Sequence, residues 1–84
     1  MALYGNDNAV HRSNKPERYS VLHPVSTEPP AAGIYECQSC GFEDVINRDC
    51  DRLPPCSNCR TRGHNWKLLV RALDSGEKDS RPYR

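Results

Sequence analysis

Two short cysteine motifs decide the fold of this chain, Cys37-Gln38-Ser39-Cys40 and Cys56-Ser57-Asn58-Cys59. Fifteen residues separate them, which gives the pattern C-x2-C-x15-C-x2-C, typical of four-cysteine metal sites. Two thiolates three residues apart on a tight turn can both point at one ion about 2.3 Å away. A hairpin between the motifs would bring the second pair opposite the first. The pattern therefore predicts a tetrahedral metal site whose ligands are Cys37, Cys40, Cys56 and Cys59.

Two metal-free interpretations compete with this one: a pair of disulfides, or a redox dithiol. A redox C-x-x-C motif usually occurs once, near a βαβ pattern, and no such pattern is present here. The N-terminal residues 1–7 lack the positive start and apolar stretch of a secretory signal. We therefore expect a reducing, cytoplasmic compartment, in which cysteine pairs bind metal more often than they form disulfides.

Composition points to a small domain that needs a staple. The chain has 84 residues, of which 36% are hydrophobic and 7% aromatic. A domain of this size buries a small share of its surface, so metals or disulfides usually supplement the core. No run of 18 apolar residues predicts a membrane span. The net charge of +1 indicates no strongly basic or acidic partner by itself.

Three regions differ in composition. Residues 1–32 are rich in Pro, Asn and Ser without apolar periodicity, which predicts a flexible N-terminal tail. Within it, Tyr19–Val25 is either a linker, which we favour, an extended strand against the domain, or a short linear motif. Residues 33–73 form the four-cysteine domain, and residues 74–84 are expected to be a flexible C-terminal tail.

Inside the domain, three short runs predict strands, at 34–37, 42–46 and 66–73. The third run is too short and apolar to be distinguished from a helix by periodicity alone. Gly41 follows the second ligand, where a turn of this kind often needs a positive φ. Pro54 and Pro55 stiffen the approach to Cys56.

The residues around the ligands resemble those of the zinc-ribbon and rubredoxin-like group. The resemblance rests on three stretches: Tyr35-Glu36-Cys37-Gln38-Ser39-Cys40-Gly41-Phe42, Leu53-Pro54-Pro55-Cys56-Ser57-Asn58-Cys59 and Trp66-Lys67-Leu68-Leu69. It covers roughly half of the chain and is similar to zinc ribbons of small bacterial or phage proteins. It implies a small metal-stabilised β fold, a zinc ribbon with two or three short antiparallel strands and disordered termini. Arg60 departs from the family pattern, which usually has glycine there.

The resemblance leaves two metals open. A zinc ribbon implies one redox-silent Zn²⁺ ion, whereas a rubredoxin-like protein implies iron and one-electron transfer, and we favour zinc. Four protein thiolates leave no open position for water, as in structural zinc sites. We therefore expect a non-enzymatic zinc-binding module without catalytic residues, with an iron electron carrier as the alternative.

Other potential ligands lack the spacing of a metal site. Cys50 is flanked by Asp49 and Asp51, which disfavour its thiolate, so we expect a free thiol rather than a substitute ligand or an intermolecular disulfide. His64 is expected to be an ordinary loop histidine because four better ligands exist. His11 and His23 fall in the predicted tail.

Charge divides the domain into two halves. Residues 36–51 carry five acids and one arginine, net −4, while residues 52–71 carry five basic residues and no acid, net +5. Arginine beside aromatic residues can bind phosphate and stack on bases. A basic half could equally dock an acidic protein, or be a solvated surface that neutralises the acidic half. We expect the protein to be a monomer. The residues that we expect to contact a nucleic acid or a protein partner are Arg60, Arg62, His64, Trp66 and Lys67.

Overall fold

The fold is a four-stranded antiparallel sheet preceded by two 3-10 turns. A computed structural model describes residues 2–59 and 65–73. In chain order its elements are 3-10 helices Asp7–Ala9 and Pro16–Tyr19 and strands β1 His23–Pro24, β2 Gly33–Cys37, β3 Glu43–Ile46 and β4 Asn65–Arg71. The strands lie in the order β1-β4-β2-β3. The coarse prediction of a small antiparallel β fold is confirmed.

Strands β2 and β3 form a hairpin around the first cysteine motif. Their register pairs Ile34 with Val45. The Cys37 amide donates to the Phe42 carbonyl at 2.8 Å, and the Gly41 amide donates to the Cys37 carbonyl at the same distance. Gly41 has a φ of 79°, as the sequence predicted, so the chain can reverse tightly after the second ligand.

Strand β4 lies beside β2, and the start of β4 is next to Cys37. Trp66 is opposite Cys37, and Val70 is opposite Ile34, with a bulge next to Tyr35. Side chains alternate along β2, where every second residue is buried. This settles the third predicted strand, which could also have been a helix from the sequence.

The core is small and includes two of the proposed metal ligands. Its buried hydrophobic members are all at most 6% exposed: Tyr35, Cys37, Ile46, Leu53, Cys56, Trp66 and Leu68. A core of this size supplies little stability by burial alone. Because two of the proposed ligands belong to this core, a change in how their sulfurs are bound would also change how the sheet packs.

The N-terminal segment contributes a fourth strand, which the sequence assigned to a tail. His23 pairs with Trp66 at the edge of β4. The Ser26 amide donates to the Leu53 carbonyl at 2.9 Å, and the Leu53 amide donates to the Thr27 carbonyl at 2.8 Å. The linker interpretation of Tyr19–Val25 is therefore wrong at β1, and the sheet has four strands where two or three were expected.

The sequence offered a strand here only as an alternative to a linker, and its signal is weak for a physical reason. It contains two residues, one of them a proline, which cannot donate to a ladder and occurs at sheet edges. Pro29 and Pro30, a little further along, are buried although proline is mostly an exposed residue.

The predicted C-terminal tail, 74–84, lies outside the described residues. Within 2–59 and 65–73, no helix has the length and apolarity that crossing a membrane requires.

Candidate metal centre

Two loops carry the four cysteines to one end of the sheet. Cys37 is the last residue of β2 and Cys40 lies in the turn that leads to β3. Cys56 and Cys59 follow the double proline on the way to β4. This second loop is held at two points: the Leu53 backbone bonds to residues 26 and 27, which follow β1, and a hydrogen bond from the indole Nε1 of Trp66 in β4 to the Pro54 carbonyl at 3.0 Å.

The four Sγ atoms all lie within 4.8 Å of one another. Cys37 Sγ is 3.7 Å from Cys59 Sγ, and Cys40 Sγ is 3.6 Å from Cys56 Sγ. Four sulfurs placed tetrahedrally about 2.3 Å from one ion would be about 3.8 Å apart. The cluster therefore has the size of a tetrahedral tetrathiolate site. The two metal-free disulfides are not present, because all five cysteines are free.

Each close sulfur pair joins one loop to the other rather than two cysteines of the same motif. A cation held there would cross-link β2 and the segment before β4, which are far apart in the sequence. The cluster is also unevenly exposed. Cys37 and Cys56 are buried, Cys59 is half-buried and Cys40 is exposed.

Hydrogen bonds and burial give the thiols different acidities. The Asn58 side-chain amide donates to Cys40 Sγ at 3.5 Å. This bond and a weaker backbone bond from Phe42 lower the pKa of Cys40 to about 6. Burial raises the pKa of Cys59 to about 12, with further contributions from the neighbouring cysteines. Metal binding to such a cluster releases protons, because the ligands must be thiolates.

The chemistry of the donor set fits a closed site. Four soft thiolates in a tetrahedron suit zinc or a single iron. All four positions are supplied by protein sulfur, which is the arrangement of structural zinc sites rather than catalytic ones. The Cys59 amide also donates to Cys56 Sγ at 3.5 Å, which offsets part of the negative charge that four thiolates bring together.

The remaining predicted ligands stay apart from the cluster. Cys50 is a free thiol whose Sγ donates to the Arg52 carbonyl at 3.0 Å, and the four-sulfur group does not include it. His11 is exposed in the N-terminal segment, and His23 lies in β1 against the Tyr35 ring. His64 lies outside the described residues.

The predicted partner contacts fare unevenly. Trp66 has no exposed surface and packs in the core, so its predicted role in stacking on a base is wrong. Lys67 is half-buried on β4, opposite Glu36 of β2. Arg60 and Arg62 lie outside the described residues, so a role for them stays a prediction.

Asn58 contributes to the site, and the sequence did not single it out. It occupies an ordinary x position of a C-x-x-C motif, where many residue types occur. Its side-chain amide was the available signal, since an amide nitrogen can donate to a thiolate.

Compared with known proteins, the chain matches no protein-family model, no curated protein and no solved structure.

Proposed function

We propose that this chain is a non-enzymatic zinc-binding module in which one structural Zn²⁺ ion staples the sheet. The observation that supports this most strongly is the four-sulfur cluster, with Sγ atoms within 4.8 Å and cross-loop pairs at 3.6 and 3.7 Å. The ligands would be Cys37, Cys40, Cys56 and Cys59. The chain supplies the four sulfurs, and the ion would supply the cross-link between the two loops that carry them.

Metal analysis tests this proposal directly. Protein purified under reducing conditions without added metal should contain one equivalent of zinc, and Cys56→Ser should lower that content. Cys50→Ser is the matched control, because Cys50 is a free thiol outside the cluster. Zinc below one tenth of an equivalent in the wild type, with no metal in its place, would rule out the proposal.

A rubredoxin-like iron site is the second candidate. The exposure of Cys40 supports it, because electron transfer needs a ligand close to the surface. An iron site would give a coloured protein with one equivalent of iron and a reversible one-electron reduction. A colourless protein with one equivalent of zinc excludes this candidate.

We further propose that the module binds an acidic macromolecule, either a protein or a nucleic acid, through the basic half of its sequence, residues 52–71. Support comes from the net charge of +5 in this stretch and from the partly exposed Lys67. Trp66 is left out because it is buried.

We also propose that the protein is cytoplasmic, because free thiols persist in a reducing compartment.

Charge reversal tests the proposed surface. The variant Arg60→Glu/Arg62→Glu/Lys67→Glu should lose binding to the partner, and Arg12→Glu, at an exposed N-terminal position, is the control. Binding should be assayed with a single-stranded and a double-stranded oligonucleotide, for which the logarithm of the affinity should fall linearly with the logarithm of salt concentration. Absence of binding to both would leave an acidic protein as the partner. Unchanged binding by the triple variant would contradict the proposed surface.

A further inference from the structure

Cys40 is the most exposed residue of the cluster, and its sulfur accepts a side-chain hydrogen bond from Asn58. The Asn58 Nδ2 atom lies 3.5 Å from Cys40 Sγ. The two residues are 18 positions apart and belong to different loops. The bond therefore runs across the site, from the second cysteine motif to a ligand in the first.

The donor in this bond is chemically defined. A thiolate accepts hydrogen bonds, and of the two polar atoms of an Asn side chain only the nitrogen can donate. Bonds to a charged acceptor are stronger than bonds between neutral groups.

A backbone requirement does not explain Asn at this position. Asn often occupies turns because it tolerates a positive φ. Among the described residues, Ser26 is the only non-glycine residue with a positive φ, so Asn58 is not there to supply one. Asn58 is also exposed, so it fills no space in the core.

We propose that Asn58 is a positioning residue for the metal centre, which orients Cys40 and neutralises part of its charge. This inference rests on the proposed metal site and extends it. Groups that hydrogen-bond to metal ligands typically change metal affinity 10–100-fold when they are removed. At Cys40 the effect is directed at the ligand that water and competing chelators reach most easily.

Two variants separate the donor from the shape of the side chain. Asn58→Ala removes the donor and should weaken zinc binding by about tenfold. Asn58→Asp keeps the shape but places a carboxylate beside the thiolate, so it should bind zinc more weakly than Asn58→Ala. A purely structural role predicts the opposite order, with Asp close to wild type. Ser57→Ala, an exposed neighbour on the same loop, is the control and should bind like wild type.

The measurements are zinc affinity, by competition with a chromophoric chelator, and the spectrum of the Co²⁺-loaded protein. Hydrogen bonding stabilises the sulfur lone pairs, so losing the Asn58 donor should shift the thiolate-to-cobalt charge-transfer band to lower energy at full occupancy. Wild-type affinity in Asn58→Asp, or an unshifted band in Asn58→Ala, would overturn the inference while leaving the metal site intact. A wild-type protein that binds neither metal would overturn this inference together with the proposed function.

Discussion

Gly33 shows how a single residue limits the sheet. It begins β2 opposite Arg71, and a Cβ atom at this position would overlap the carbonyl oxygen of Val70. Its φ of 153° is also one that L side chains rarely adopt. The strand pair β2–β4 can therefore approach closely only because this residue has no side chain.

Replacing Gly33 tests that close approach. Gly33→Ala should lower the unfolding free energy of the metal-loaded protein by about 2 kcal/mol, because the clash is with backbone and cannot be relieved by a rotamer change. Gly5→Ala is the matched control, since nothing lies within 4 Å of a Cβ there. Denaturant unfolding provides the measurement, and equal midpoints for the two variants would contradict this account of β2.

His23 is a second residue with a measurable consequence. Its Nε2 atom is buried without a hydrogen-bond partner among the described residues, and its ring lies edge-on to Tyr35, with centroids 6.4 Å apart. Burial lowers the pKa of His23 below its ordinary value of 6.5. Protonation therefore favours the unfolded chain.

The lowered pKa of His23 determines the direction in which the stability of the fold changes with pH. Below pH 6.5 the unfolded state binds a proton that the folded state does not, so stability falls with falling pH until the lowered pKa is reached. We expect the stability of His23→Phe relative to wild type to increase as the pH falls from 7.5 to 5.5. Acid weakening of the metal site affects both proteins and cancels in the difference. A difference that stays constant over this range would contradict the burial of His23.

At the scale of elements, the N-terminal segment is part of the sheet as well as a lead-in to it. β1 pairs with β4, and residues 26 and 27 hydrogen-bond to Leu53 on both sides. Residues 2–12, by contrast, are nearly all exposed. The structure thus divides the first 32 residues into a peripheral part and a packed part.

Two truncations test this division. Removing residues 1–14 should leave the unfolding midpoint of the zinc-loaded protein nearly unchanged. Removing residues 1–32 should cost about 3 kcal/mol, because it deletes the β1 pairing, two backbone hydrogen bonds and the burial of two prolines. If both truncations unfold at the same denaturant concentration, the domain begins at residue 33, as the sequence alone predicted.

The elements differ in how far the sequence could define them. β2, β3 and β4 were predictable as short apolar runs with several strand-forming residue types, although the sequence left β4 open to a helical interpretation. β1 was not, because its pairing depends on a tertiary contact with Trp66 rather than on local propensity. The burial of Trp66 was missed for a related reason: in the sequence it stands among basic residues, and only the register with Cys37 shows that it faces the core.

At the scale of the whole molecule, the core and the proposed metal site share residues. Cys37 and Cys56 belong to the buried core, and the cross-loop sulfur pairs join its two sides. The ligand set was predictable because the spacing of the two C-x-x-C motifs is typical of four-cysteine metal sites. The hydrogen bond from Asn58 was not, since nothing in the sequence indicates which loop side chain reaches a sulfur across the site.

We propose that metal binding supplies the folding free energy of this small sheet. The most direct test is a Zn²⁺ titration of the reduced, metal-free protein, followed by amide NMR of residues 33–59 and 65–73. We predict collapsed amide shifts without metal and a dispersed spectrum that is complete at one equivalent of Zn²⁺. A spectrum that is already dispersed before zinc is added, and that the ion leaves unchanged, would contradict the claim.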